Sequence, residues 1–291
     1  MDMEILNDSD LWLKRRLTPV LLLFILLGIG SCRKRDAKVK LPEVASKLVL
    51  VSFISPQDSI ISVSITLSQP LYNNASSNNF APVENAEVTI SSDLGSATLS
   101  YDAVRKGYSI DSTRLKIREG FNYRITARTP DGKYALANTS IPPANKNLAV
   151  SLSSDSNSIR CSWPDPAGSQ DYYRLLFQNS SYHIFEGYNQ NGSFSDTIKV
   201  NFANSWWATD ADRDGSVLTE VIDYSVPPFS AEGQKYYIYL LHVSKEYYEY
   251  GIHLPYSQNT GDPFQEPAPV YSNVTGGFGI FAGYNSYRII P

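Results

Sequence analysis

The sequence predicts an all-β chain built of two β-sandwich domains, and three observations carry that expectation. Val, Ile, Thr and Tyr recur in short runs with a two-residue period, and 20 tyrosines among the 291 residues add to the strand-forming set. Clusters of Pro, Gly, Asn, Asp and Ser interrupt those runs, as turns interrupt strands. Helical periodicity over a dozen residues is almost absent after residue 31.

Ahead of the first strand the chain reads differently. Lys14, Arg15 and Arg16 precede an apolar run from Leu17 to Ile29, broken only by Thr18, Pro19 and Gly28. That run falls short of the about 20 residues a membrane-crossing helix needs. Gly30 and Ser31 follow, and the order basic, apolar, small is that of an export signal, so residues 1–31 are expected to be removed. Ile29-Gly30-Ser31-Cys32 resembles the bacterial lipobox, in which the cysteine thiol receives a diacylglycerol and becomes the new N-terminus. A buried thiol beside an ordinary cleavage site is the competing reading of Cys32, but a cysteine at that position is rare by chance. Each buried CH₂ contributes about 0.8 kcal/mol, so two acyl chains anchor stably where one is marginal. No later stretch approaches the length of a spanning helix, so the chain is expected to be tethered to a membrane and not to cross it. Residues 32–46 are charged, lack a core pattern and read as the tether.

Residues 32–291 carry 22 bases against 25 acids, a formal charge of −3. No basic stripe follows the five bases between Arg33 and Lys40, which argues against nucleic acid as a partner. With Cys32 lipidated only Cys161 remains, so no intramolecular disulfide is available and stability must come from packing.

The first domain is expected over residues 47–145. Val49, Val51 and Phe53 alternate with Leu50, Ser52 and Ile54, a strand apolar on both faces. Ile61, Val63, Ile65 and Leu67 alternate with Ser62, Ser64, Thr66 and Ser68, the pattern of a half-buried strand. The Asn- and Ser-rich stretch from Leu71 to Ala86 reads as a long exposed loop. Ala86, Val88 and Ile90 restore the two-residue period. Short strands follow around Ala97 to Tyr101, Tyr108 to Asp111 and Tyr123 to Ala127, and Asp131-Gly132 turns a hairpin into Tyr134 to Asn138. About seven strands of this length is the count of an immunoglobulin-like or transthyretin-like sandwich. Pro142 and Pro143 cannot donate ladder hydrogen bonds, so the domain boundary is placed near residues 142–147.

The second domain is expected over residues 146–291. Ile159, Cys161 and Trp163 alternate inward, a Pro-Asp-Pro-Ala-Gly turn follows, and Tyr173, Leu175 and Phe177 alternate in the next strand. This pair resembles strands B and C of a fibronectin type III domain, where a tryptophan fills the sandwich centre, and Cys161 is then an inert core thiol. A strand from Tyr236 to His242 places Tyr237, Tyr239 and Leu241 on one face and Ile238, Leu240 and His242 on the other. A short helix capped by Ser244 is expected after it, before the last strand.

Near the carboxyl end stand Glu266-Pro267, Asn273-Val274, Gly276-Gly277 and Gly279-Ile280-Phe281. Together with Ala86-x-Val88-x-Ile90, Gly107-Tyr108, Gly120-x-x-Tyr123-x-Ile125 and Ile141-Pro142-Pro143, they resemble a domain-of-unknown-function family of Bacteroidota outer-membrane lipoproteins. Those proteins are typically encoded beside TonB-dependent receptors of the starch-utilisation type. The resemblance implies an outer-membrane location and a receptor partner, on a membrane face it leaves open, and brings no catalytic residues. By itself the motif Glu266, Pro267, Asn273, Gly276, Gly277, Gly279 and Phe281 is read as a bulge or tight turn into a final edge strand, Ile280 to Tyr284. A phosphate-cradling loop is the rival reading, but the lysine and serine of a P-loop are missing.

Asp210, Asp212 and Asp214, followed by Gly215, reproduce the first half of a calcium loop, and Ca²⁺ is the cofactor they suggest besides the diacylglycerol anchor. The second half disagrees: with Asp210 first, Glu220 is eleventh where an EF-hand places glutamate twelfth. An Asp-rich turn held by local hydrogen bonds is the competing reading. His183, His242 and His253 show no metal-binding spacing and read as structural, and a pair of distant carboxylates is the one catalytic arrangement left open. Tyr172-Tyr173, Trp206-Trp207 and Tyr247-Tyr248-Tyr250 read as core or interface aromatics, with Trp206 and Trp207 the first place to seek a partner or ligand. The expected function is that of a non-enzymatic, lipid-anchored accessory protein of a TonB-dependent receptor, with a glycan or peptide cargo. The alternative is a surface glycan-binding or adhesive module using Ca²⁺ and exposed aromatics.

Overall fold

A computed structural model describes residues 45–69, 80–152, 158–179, 205–223, 236–257 and 270–289. Residues Ala45–Pro291 form one compact unit. It is all-β apart from one helix among the described residues. The first seven strands are β1 (Leu48–Ile54), β2 (Ile60–Leu67), β3 (Glu87–Ser92), β4 (Gly95–Asp102), β5 (Gly107–Asp111), β6 (Asn122–Arg128) and β7 (Tyr134–Ser140). There follow β8 (Ala149–Leu152), β9 (Ser158–Pro164), β10 (Tyr172–Asn179), β11 (Ser205–Thr209), β12 (Val217–Asp223), β13 (Tyr236–Val243), helix α1 (Lys245–Ser257) and β14 (Phe278–Ile289).

Eleven strands share one sheet in the order β11-β10-β13-β14-β1-β2-β5-β4-β3-β6-β7, and β12-β9-β8 make a second. The alternation read along β2 is realised in its middle, where Ile61, Val63 and Ile65 are buried while Ser64 and Thr66 are only half-buried; Ser62 is buried as well, its carbonyl accepting from the Ser52 hydroxyl at 2.8 Å. On β6, Tyr123, Ile125 and Ala127 turn inward in the same way. These side chains join Leu48, Leu50, Val88, Ile90, Tyr108 and Phe281 in the first core. The sheet curls back on itself around that core, since Leu136 of β7 bridges Thr275 just ahead of β14. The hairpin at Asp131-Gly132 connects β6 to β7, with the Thr129 N–H donating to the Lys133 carbonyl at 3.0 Å.

The second core lies between β10-β13 and the three-stranded sheet. Ile159, Cys161 and Trp163 face Tyr173, Leu175, Ile238 and Leu240 there, as the period-two pattern requires. Trp163 meets Tyr173 edge-on at 5.4 Å between centroids. A third core on the opposite face of β10, β13 and β14 is covered by α1. Phe53, Tyr172, Tyr239, Leu241, Tyr247, Ile280 and Tyr284 meet in it. Ser244 caps α1 as expected: the Tyr247 N–H donates to its hydroxyl at 3.4 Å.

One expectation is corrected. The last strand is not an edge strand of five residues but a twelve-residue strand inside the large sheet. Phe278–Gly283 run parallel to Val49–Ile54 of β1, and Tyr284–Ile289 then run antiparallel to Val243–Ile238 of β13. Side-chain pattern specifies the faces of a strand but not its neighbours, which is why the residues alone did not reveal this. At the changeover the Gly283 N–H donates to Thr139 Oγ1 of β7 at 2.8 Å, and the Ser244 N–H donates to the Gly283 carbonyl at 2.9 Å. The boundary expected near residues 142–147 falls on the connection from β7 to β8, and β14 serves the cores on both sides of it.

Candidate functional site

The acidic turn between β11 and β12 opens with Asp210, whose N–H donates to the Asp171 carbonyl. Two successive reversals follow, with the Arg213 N–H donating to the Asp210 carbonyl and the Ser216 N–H to that of Arg213. This tight path leaves Asp212 exposed at the turn and outside the acidic cluster. The expected set of Asp210, Asp212 and Asp214 is therefore corrected to Asp165, Asp210 and Asp214, which each offer one carboxylate oxygen within 4.8 Å of the others. Asp165 arrives from the turn after β9 because β9 pairs antiparallel with β12, Pro164 opposite Val217. The Asp165 N–H extends that ladder by donating to the Ser216 carbonyl at 2.9 Å.

Each carboxylate is held by its neighbours. Asp165 accepts from the Tyr173 hydroxyl at 2.7 Å through Oδ1 and from the Gly215 N–H at 3.0 Å through Oδ2. Gly215 permits that donation from a φ of +71°, and its α-carbon backs directly onto Ala167 of the facing turn. Asp214 accepts from the Gly168 N–H at 2.9 and 3.1 Å. Asp210 accepts from the Asp171 N–H at 2.9 Å through Oδ1, while its buried Oδ2 has no hydrogen-bond partner among the described residues. Burial raises the Asp165 carboxyl above the ordinary carboxylate range, the Tyr173 and Gly215 hydrogen bonds oppose this, and the charges of Asp210 and Asp171 add to it. Burial, and then the bond to Asp165, push the Tyr173 hydroxyl far up.

Behind the cluster, His242 lies between the Pro143 carbonyl, 2.9 Å from Nδ1, and Asp171 Oδ1, 3.1 Å from Nε2. Oxygen atoms face both ring nitrogens, so both are occupied by hydrogen-bond partners. The ring stacks on Tyr173 at 4.7 Å. Neither nitrogen is left to accept a proton from a substrate, so the ring ties the β7–β8 connection to β10 and β13. His253 sits on α1 with Nδ1 2.7 Å from the Glu249 carbonyl, and His183 lies outside the described residues.

The aromatic doublets split between faces. Trp206 packs edge-on against Phe177 at 5.1 Å on the side of the second core. Trp207 lies on the helix side, 5.9 Å from Tyr248 and 5.2 Å from the buried Arg174 guanidinium, whose Nη1 donates to the Tyr247 hydroxyl at 2.6 Å. Trp206 and Trp207 therefore do not make one platform. Tyr172 and Tyr173 divide likewise, toward Tyr248 and Trp163.

Within the carboxyl motif, Asn273 bonds to Phe281 and Asn138, Gly276 and Gly277 lie in the turn before β14, and Phe281 fills the first core. Gly279, at φ +115°, sits so close to β1 that a β-carbon would overlap the Leu50 carbonyl oxygen. These residues are engaged inside the fold. Glu266, Pro267 and Cys32 lie outside the described residues.

A family model described as a domain of unknown function (DUF4249) matches residues 34–290. No curated protein matches the sequence. Among solved structures, a cytokine receptor complex is similar at 10% identity over 68% of this chain and 84% of that chain, with a TM-score of 0.24. A segment of two fibronectin type III domains from chicken tenascin is similar at 16% identity over 68% of this chain and 90% of that one, with a TM-score of 0.22. At these TM-scores neither likeness bears on function.

Proposed function

The chain belongs to the DUF4249 family, and from that premise we propose that it is a lipid-anchored outer-membrane protein without a catalytic role. It acts as an accessory subunit of a TonB-dependent receptor and aids nutrient capture or uptake. The observation that carries this reading is the place of Cys32: it closes the basic, apolar, small segment, and the family match begins just beyond it, at residue 34. The finer kinship, with Bacteroidota lipoproteins encoded beside starch-utilisation receptors, rests on the same motifs and belongs to the proposal. No helix among the described residues is long and apolar enough to cross a membrane.

The mechanism is positional. The acyl chains hold the β unit at the bilayer and its surface meets the receptor or the cargo. Because the carboxyl motif is engaged internally, that contact is assigned to β11, which ends the eleven-stranded sheet among the described residues and carries the half-buried Trp206 and Trp207.

A mild-detergent pull-down from native membranes, comparing wild type with Cys32→Ala, tests the reading. A large β-barrel receptor is expected to co-purify with the wild type and to be lost with Cys32→Ala. Recovery of the wild-type protein alone would remove the receptor, and equal membrane recovery of both forms would remove the anchor.

A further inference from the structure

We propose that Asp165, Asp210 and Asp214 form a Ca²⁺ site that joins the β9–β10 turn to the β11–β12 turn. This goes beyond the membrane reading and stands or falls apart from it.

The geometry is the first support. Oxygens bound to one Ca²⁺ at about 2.3–2.6 Å lie at most about 5 Å from each other. The three carboxylate oxygens, within 4.8 Å of one another, meet that condition. The second support is independent of the clustering. Asp210 is only 1% exposed, yet its Oδ2 has no hydrogen-bond partner among the described residues. A buried carboxylate oxygen left unpaired is unfavourable by the full desolvation of that atom, and a bound cation supplies what is missing.

The charge balance points the same way. Asp171, the fourth acid nearby, has its own partners in the His242 ring and the Ser169 hydroxyl. No lysine, arginine or histidine among the described residues forms an ion pair with Asp165, Asp210 or Asp214. The hydrogen bonds that Asp165 and Asp214 accept leave lone pairs for a metal, since an ionised carboxylate has about four acceptor sites.

The donor set selects the ion. It is all carboxylate oxygen, with neither thiolate nor free imidazole, which favours a hard cation over zinc. Mg²⁺ demands near-octahedral bonds of about 2.0–2.1 Å, whereas Ca²⁺ accepts the irregular shell that carboxylates on two separate turns offer. Asp214 is exposed, so the ion has an entry path and water completes its shell.

The test uses the full-length chain stripped of metal with EDTA. Calorimetry with CaCl₂, melting with and without Ca²⁺, and Tb³⁺ emission excited through Tyr173, which is bonded to Asp165, read the same site three ways. Expected are one ion per chain, a higher melting temperature with Ca²⁺, and Tb³⁺ emission that Ca²⁺ displaces. Asp214→Asn changes an exposed residue, and should weaken Ca²⁺ binding about tenfold or more while leaving the metal-free melting temperature near that of the wild type. Folded wild type that gives neither heat nor a melting shift up to about 10 mM Ca²⁺, past the weakest extracellular modules, overturns the site. Unchanged affinity in Asp214→Asn overturns the ligand set, and an equal response to Mg²⁺ overturns the assignment to calcium.

Discussion

Asn273 binds both main-chain groups of Phe281: its Nδ2 donates to the Phe281 carbonyl at 2.8 Å and its Oδ1 accepts the Phe281 N–H at 3.0 Å. The side-chain amide takes the position of a neighbouring strand's peptide group, and Nδ2 also donates to the Asn138 carbonyl of β7 at 3.1 Å. A carboxylate keeps the acceptor but loses the donor. Asn273→Asp is therefore expected to destabilise the fold nearly as much as Asn273→Ala, by about 1–3 kcal/mol. Urea unfolding of the two variants checks this, and an unshifted midpoint for Asn273→Asp would remove the bridging role.

Gly279→Ala strikes the parallel pairing itself. The added methyl meets the Leu50 carbonyl from a backbone conformation that an L side chain resists. A loss of about 3 kcal/mol or more is expected, enough to threaten folding of a marginally stable unit. Thermal melting reads it out, and a variant that melts with the wild type would mean that β14 does not approach β1 this closely.

Burial, with Glu220 adding to it, pushes the Cys161 thiol up to about 12. The native state therefore keeps its proton while the unfolded chain releases one near the ordinary thiol value of about 8.5. Above that pH the unfolded state binds fewer protons, so stability falls as pH rises, by at most about 1.4 kcal/mol per unit toward pH 12. Below about pH 8.5 this contribution is fully present. Cys161→Ala should flatten that part of the pH profile. A disulfide reagent at pH 8 should label Cys161 only in denaturant, and rapid labelling of the folded chain would contradict its burial.

Removal of His242 takes the ring nitrogen from the Asp171 carboxylate and leaves it the Ser169 hydroxyl. His242→Ala is expected to destabilise the unit by about 1–3 kcal/mol, and the double variant with Asp171→Asn by less than the sum of the two single changes. Denaturant melts arranged as a double-mutant cycle measure the coupling. Strict additivity would show that the two residues do not act as a pair.

Much of this architecture can be read along the chain. Alternation marks β9 residue by residue and the middle of β2, and Ser244 announces the cap of α1, because these are local relations of one segment to itself. Asp165 lies 45 positions before Asp210 and is brought to it only by the register of β9 on β12. No spacing rule reports that. Asp212 has the right spacing and the wrong place, because a tight double turn and an ion-wrapping loop share a composition. The position of β14 escaped for the same reason: its partners β1 and β13 are chosen by the closure of the whole sheet.

The shared strand also sets a timetable. Val49 must wait about 230 residues for Phe278, so on the ribosome β1 has no partner on that side, and long-range parallel closure is intrinsically slow. Until β14 arrives, the Val49–Ile54 edge stays open to any extended strand that reaches it first. Chaperones that shield this one edge should thus govern yield more than any intrinsic stability of the finished molecule.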